Sequence, residues 1–153
     1  SEHSGDMEVR SPETETEFAA YYELRWKVLR EPWGEPRGSE RDELDTAACH
    51  VAGFDEAKSI VCVGRLHVVR PGAGQVRYMA VVESLRGRGF GQAVLDELEH
   101  LAWQLGMTTV FLDARESAVG FYLRNGYAIE GDGHTLFGEV HHSKMRKQLT
   151  EKS

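Results

Sequence analysis

Arg86-Gly87-Arg88-Gly89-Phe90-Gly91 lies between an apolar run, Val76 to Val82, and an amphipathic stretch, Gln92 to Leu105. The run reads as a strand and the stretch as a helix. Strand, glycine-rich turn and helix start, in that order, make an anion site. Glycines let backbone N–H groups approach phosphate oxygens, and the helix dipole adds partial positive charge. Arg86 and Arg88 add full charges. The segment predicts a site for a phosphorylated ligand.

The rest of the chain bounds what can surround that site. Its 153 residues fit a single domain, and 41% hydrophobic content supports a real core. Eighteen basic against 25 acidic residues give a net charge of −7, which argues against nucleic acid as a partner. No apolar run approaches the ~20 residues of a membrane helix, and the first residues lack a leader's basic start and apolar centre. Cys49 and Cys62 have neither metal nor CxxC spacing, so no metal and no disulfide framework are expected. A reducing cytoplasm is the simplest location.

Residues 1–13 are polar and read as a flexible N-terminus, leaving 14–149 as the domain. Thr14 to Arg30 has helical spacing, with Thr14 or Thr16 as its cap. Glu31 to Gly38 breaks regular structure, and Ser39 to Ala48 has room for a short helix. Cys49 to Phe54 is a strand candidate. Ile60 to Val69 and Gln75 to Val82 flank Arg70-Pro71-Gly72-Ala73-Gly74 and read as an antiparallel hairpin. Val94, Leu95, Leu98, Leu101, Ala102 and Leu105 make one helical face that Gly106 closes. Thr108 to Ala114 is a strand and Ser117 to Asn125 a short helix. Tyr127 to Ile129 and Leu136 to Met145 are the last strands. The order predicts an α+β domain with a mixed, mostly antiparallel sheet, in which strands 75–82 and 108–114 are parallel because a helix joins them.

Two phosphate-binding folds are excluded. No Gly-Lys-Ser/Thr follows the glycines, as a P-loop requires. The spacing Gly87-x-Gly89-x-Gly91 is not that of a dinucleotide fold, and the preceding strand belongs to a hairpin. A separate reading, Arg-x-x-Gly-x-Gly over Arg86, Gly89 and Gly91, resembles the acyl-CoA pyrophosphate loop of the GNAT superfamily of N-acyltransferases. Met79-Ala80-Val81 stands where that family's cofactor strand lies. Ala118, Tyr122, Gly126 and Tyr127 match its A-x-x-x-Y-x-x-x-G-(F/Y) segment. The match covers residues 75 to 127.

The resemblance implies a GNAT-like fold with helices on both faces of the sheet, acetyl-CoA as donor and an amine as acceptor. Main-chain groups of Met79, Ala80 and Val81 would pair with pantetheine, and the segment Arg86 to Gly91 would take the pyrophosphate. Tyr122 would protonate the departing thiolate. Two positions depart from the family. Its frequent glutamate base is Gln75 here, and its frequent asparagine seven residues before the tyrosine is Arg115, which either reaches a CoA phosphate or lies on the surface. Asp113, at the end of its strand, is the first candidate base, with Glu23, His67 and Glu83 behind it. The missing glutamate leaves a non-catalytic acyl-CoA sensor as the second reading.

The acceptor is less defined. Glu31, Glu35, Glu40, Asp42, Glu43 and Asp45 form either a solvated acidic loop or a trap for a cationic amine. Trp26 and Trp33 are pocket or anchor residues. A polyamine, an aminoglycoside, an amino acid and a protein amine all remain open. Neighbouring His141 and His142 would point to opposite faces of a strand, so they do not suit one ion, and His142 suits a structural or substrate-lining place. The resemblance also admits a homodimer through the last strands.

Overall fold

The computed structural model describes residues 7–136 and 140–151. Helix α1 (Glu15–Leu29) starts at Thr14, whose hydroxyl accepts from the Glu17 N–H at 3.0 Å. Glu15 and Glu17 in its first turn and Lys27 in its last complement the helix dipole. Glu17 also takes two guanidinium bonds from Arg10, at 3.0 and 2.8 Å. Arg10 ends β1 (Glu8–Arg10), an edge strand paired with β2 (Cys49–Phe54). The expectation of a flexible stretch over residues 1–13 therefore fails at Glu8–Arg10, because strand pairing and this ion pair tie a polar segment down.

The hairpin forms as expected from β3 (Ile60–Arg70) and β4 (Ala73–Val81). Helix α2 (Phe90–Gln104) leads to β5 (Thr109–Arg115), and α3 (Val119–Arg124) leads to β6 (Ala128–Leu136) and β7 (Val140–Gln148). The expected final strand, Leu136 to Met145, falls partly outside the described residues. The sheet order is β1-β2-β3-β4-β5-β7-β6, and among the described residues only β4 and β5 run parallel.

Each face of the sheet has its own core. Tyr21, Leu24 and Leu29 of α1 pack with Ala52, Phe54 and Val63 on one face. Val94, Leu95, Leu98 and Ala102 of α2 pack with Val51, Leu66 and Val110 on the other. Each fully buried leucine there contributes about 2 kcal/mol. Two details of the expected α2 face differ. Leu105 is 59% exposed because the helix has already ended, and Gly106 turns the chain away at φ 84°. Glu99 is buried instead, accepting from the Tyr127 hydroxyl at 2.8 Å and from Lys147 at 2.7 Å. Among the described residues no helix is long and apolar enough to cross a membrane.

Candidate active site

Strands β4 and β5 pair only over Ala73↔Thr109, Gly74↔Val110 and Gln75↔Phe111, and then part. The other edge of β4 carries an irregularity at the same place. Val63 faces Ala80 and Arg65 faces Arg77, so Gly64 alone stands opposite Tyr78 and Met79. This is a β-bulge in β4. Tyr78 absorbs the extra residue at φ 59°, a left-handed conformation that costs a non-glycine residue about 1–2 kcal/mol. The bulge also exchanges faces. Val76 belongs to the α2 core, Tyr78 and Ala80 to the α1 core, and Met79 and Val81 again pack toward α2.

Several contacts hold the strained residue. The guanidinium carbons of Arg25, Arg77, Arg65 and Arg30 lie 4.1, 4.6, 4.9 and 5.5 Å from the Tyr78 ring centre. The Tyr78 hydroxyl donates to Asp42 Oδ2 at 3.4 Å. Arg25 and Arg65 are in turn fixed by Asp45, and Arg65 also donates to Asp42 at 2.6 Å. The acidic segment is thus neither a solvated loop nor a cation trap at its core. Asp42 and Asp45 are turned inward as ion-pair partners, and Glu40 is buried, accepting from the Gly38 N–H. For Asp45 burial pushes the pKa up, but bonds from the Asp42 N–H, Arg65 and Arg25 outweigh it and hold the carboxyl below its usual range.

Two cavities meet beyond the bulge. The smaller, about 130 Å³, is lined by Arg30, Arg77, Tyr78, Asp113 and His142. The larger, about 660 Å³, is lined by Ala80, Val81, Arg86, Gly87, Gly89 and Gly91. Both also touch Leu29, Met79, Arg115, Ala118 and Tyr122, so they form one continuous cleft. At its wide end, Gly87 and Gly89 adopt φ 80° and 90°, and a Cβ on either would meet only open space, so their demand is conformational. Gly89 caps α2 without a side-chain bond, and no acid occupies the first turn. The first N–H groups of α2 therefore lack helical acceptors and suit an anion.

Most of the expected site residues converge on this cleft. Met79, Ala80, Val81, Arg86, Gly87, Gly89, Gly91, Arg115, Tyr122 and Asp113 all line it. Two of the loop residues differ. The Phe90 side chain is buried in the α2 core and Arg88 is exposed, and neither is among the lining residues. Arg115 has no carboxylate partner among the described residues. Burial, then Arg30 and Arg86, lower its pKa and make it a receptive site for negative charge. Tyr122 is 7% exposed, its ring edge-on to Phe121 and Tyr127. Burial raises its pKa well above the usual phenol value, so it stays protonated at neutral pH.

The other proposed bases lie elsewhere. Glu23 pairs with Arg37 at the surface, Glu83 is exposed, and His67 sits 3.3 Å from Arg65. Gln75 occupies the last paired rung. Trp26 is an anchor, donating to the Glu35 carbonyl at 3.1 Å beneath the Arg37 guanidinium. His142 is buried and lines the cleft, whereas His141 is exposed near Asp132. Arg30 and Arg77 were not foreseen. Arg77 left only a weak signal, a charge at an alternate position of an apolar strand.

Solved structures share this architecture. An N-acetyltransferase structure from Lactobacillus plantarum superposes with a TM-score of 0.83 at 23% identity, covering 95% of this chain and 99% of that one. An aminoglycoside 6'-N-acetyltransferase complexed with coenzyme A gives a TM-score of 0.79 at 16% identity, over 94% and 97% of the two chains. The fold is that of the acetyltransferases. In sequence, a Bacillus subtilis (strain 168) protein assigned as an acetyltransferase is 30% identical over 146 residues, 93% of this chain and 97% of its own length. The Acetyltransferase (GNAT) family model matches residues 18–127, and the chain belongs to that family. Family membership supports acetyl transfer rather than a non-catalytic sensor.

Proposed function

We propose that this acetyltransferase uses acetyl-CoA to acetylate a primary amine by direct transfer, with the donor in the cleft opened by the β4 bulge. The observation that carries the reading is the parting of β4 from β5 after Gln75 and Phe111, which bares the β4 main chain beside an uncapped, glycine-led helix start. Acetyl-CoA supplies an activated acyl group. Main-chain groups of Met79, Ala80 and Val81 suit pantetheine amides, and residues 86–91 with Arg115 suit the pyrophosphate.

Asp113 accepts the proton of the attacking amine, and Tyr122 supplies one to the departing sulfur. The lining of the narrow end of the cleft by both groups supports these roles. Burial of the phenol supports a donor rather than a base. Cys49 and Cys62 are free, which suits a reducing cytoplasm.

A thermal shift with coenzyme A, followed by thiol release across an amine panel, tests the reading. A rise in Tm and amine-dependent thiol release are expected. No Tm rise at millimolar coenzyme A would overturn the donor assignment.

A further inference from the structure

The narrow end of the cleft has an uneven charge. Among the described residues, Arg30, Arg77 and Arg115 line it against one carboxylate, Asp113. The acids that could have reversed this balance are engaged inside the protein. Asp45 serves Arg25 and Arg65, and Asp42 serves Arg65. Such a field repels polycations and draws anions.

The register places two of these charges on opposite walls. Gln75 and Phe111 form the last rung between β4 and β5. Two residues further along each strand stand Arg77 and Asp113, both facing the small cavity. Arg77 is 36% exposed, and among the described residues its one ion pair is a loose contact, 3.5 Å from Asp42. Arg115, shared with the wide cavity, falls to the donor phosphates. Arg30 donates to the Ser39 and Leu29 carbonyls at 3.1 and 3.0 Å, so Arg77 is the guanidinium left for the acceptor, lining the same cavity as the proposed base.

We propose that the acceptor is a small amine bearing an adjacent carboxylate, as an amino acid does, with its anion on Arg77 and its amine toward Asp113. The proposal rests on the reading of the cleft as an acetyl-CoA site. A guanidinium fork matches a carboxylate in two bonds, and the positive surroundings favour the neutral, reactive form of the amine.

The test uses the full chain and matched probes: the standard amino acids, their carboxamides, the corresponding decarboxylated amines, and spermidine. Coenzyme A binding is measured first by calorimetry. Each probe is then titrated into the coenzyme A-saturated protein and assayed for thiol release with acetyl-CoA. At least one amino acid should bind saturably and react with kcat/KM about tenfold or more above its carboxamide. Arg77→Gln should bring that acid-to-amide ratio near one, chiefly through KM, and Arg77→Lys should restore part of it. Failure of coenzyme A to bind overturns the donor reading. With coenzyme A bound, three outcomes overturn the acceptor class alone: no saturable amino acid, preference for spermidine or carboxamides, or an unchanged ratio in Arg77→Gln.

Discussion

Arg25 and Arg65, both fully buried, converge on a single oxygen: each donates to Asp45 Oδ1 at 2.9 Å. One comes from helix α1 and the other from strand β3, so Asp45 locks the segment between them. Removing it leaves two buried cations with fewer partners. Asp45→Ala should destabilise the protein by about 3–5 kcal/mol, read from denaturant midpoints. A change within 1 kcal/mol, as is usual for surface pairs, would show that the network is not a structural lock.

The same network sets an acid limit. Burial, with the nearby Arg25 charge, lowers the His50 pKa from its ordinary 6.5, and burial with Arg65 lowers that of His67. Just below pH 6.5 the unfolded chain then binds more protons than the folded one, so stability falls as pH falls. The lowered carboxyls of Asp42 and Asp45 extend the loss below their ordinary 3.8. Tm should drop between about pH 7.5 and 5.5. His50→Gln should lower Tm at the upper pH yet shrink the drop. An undiminished drop would remove His50 from the explanation.

Tyr122 tests the chemistry without disturbing the fold. Tyr122→Phe keeps the ring that packs on Phe121 and Tyr127. With a reactive amine, kcat should fall roughly 10²-fold while coenzyme A affinity changes little. Unaltered turnover would assign the tyrosine to packing alone.

Two arginines should differ in their hold on the donor. Arg86 is exposed, whereas Arg115 is half-buried and shared by both cavities. Arg86→Ala should raise the coenzyme A Kd by about tenfold, with a weaker salt dependence, and Arg115→Ala by more. Equal affinities in all three proteins would move the pyrophosphate away from this end of the cleft.

Much of the proposed donor site is local and therefore readable. The spacing of Met79, Arg86 and Tyr122 places strand, loop and helix in order, and Gly87 and Gly89 announce a turn that other residues resist. The burial of the Phe90 ring was not legible, because a residue at a helix start can face either the loop or the core, and only the packed α2 core selects the latter. The acids of residues 40–45 read as a solvated loop or a cation trap because their partners, Arg25 and Arg65, lie 20 residues away on either side of Asp45.

By itself the sequence determined the elements and their order, since periodicity, capping and glycine conformation act within a few residues. Tertiary structure alone decided where the sheet opens. A bulge exists only relative to a partner strand, so no alternation in β4 announces that Tyr78 turns left-handed opposite Gly64. Pairing of Gln75 with Phe111 likewise decided that Arg77 and Asp113 line one cavity. Which acids remain available to a substrate was settled only when the buried arginines took theirs.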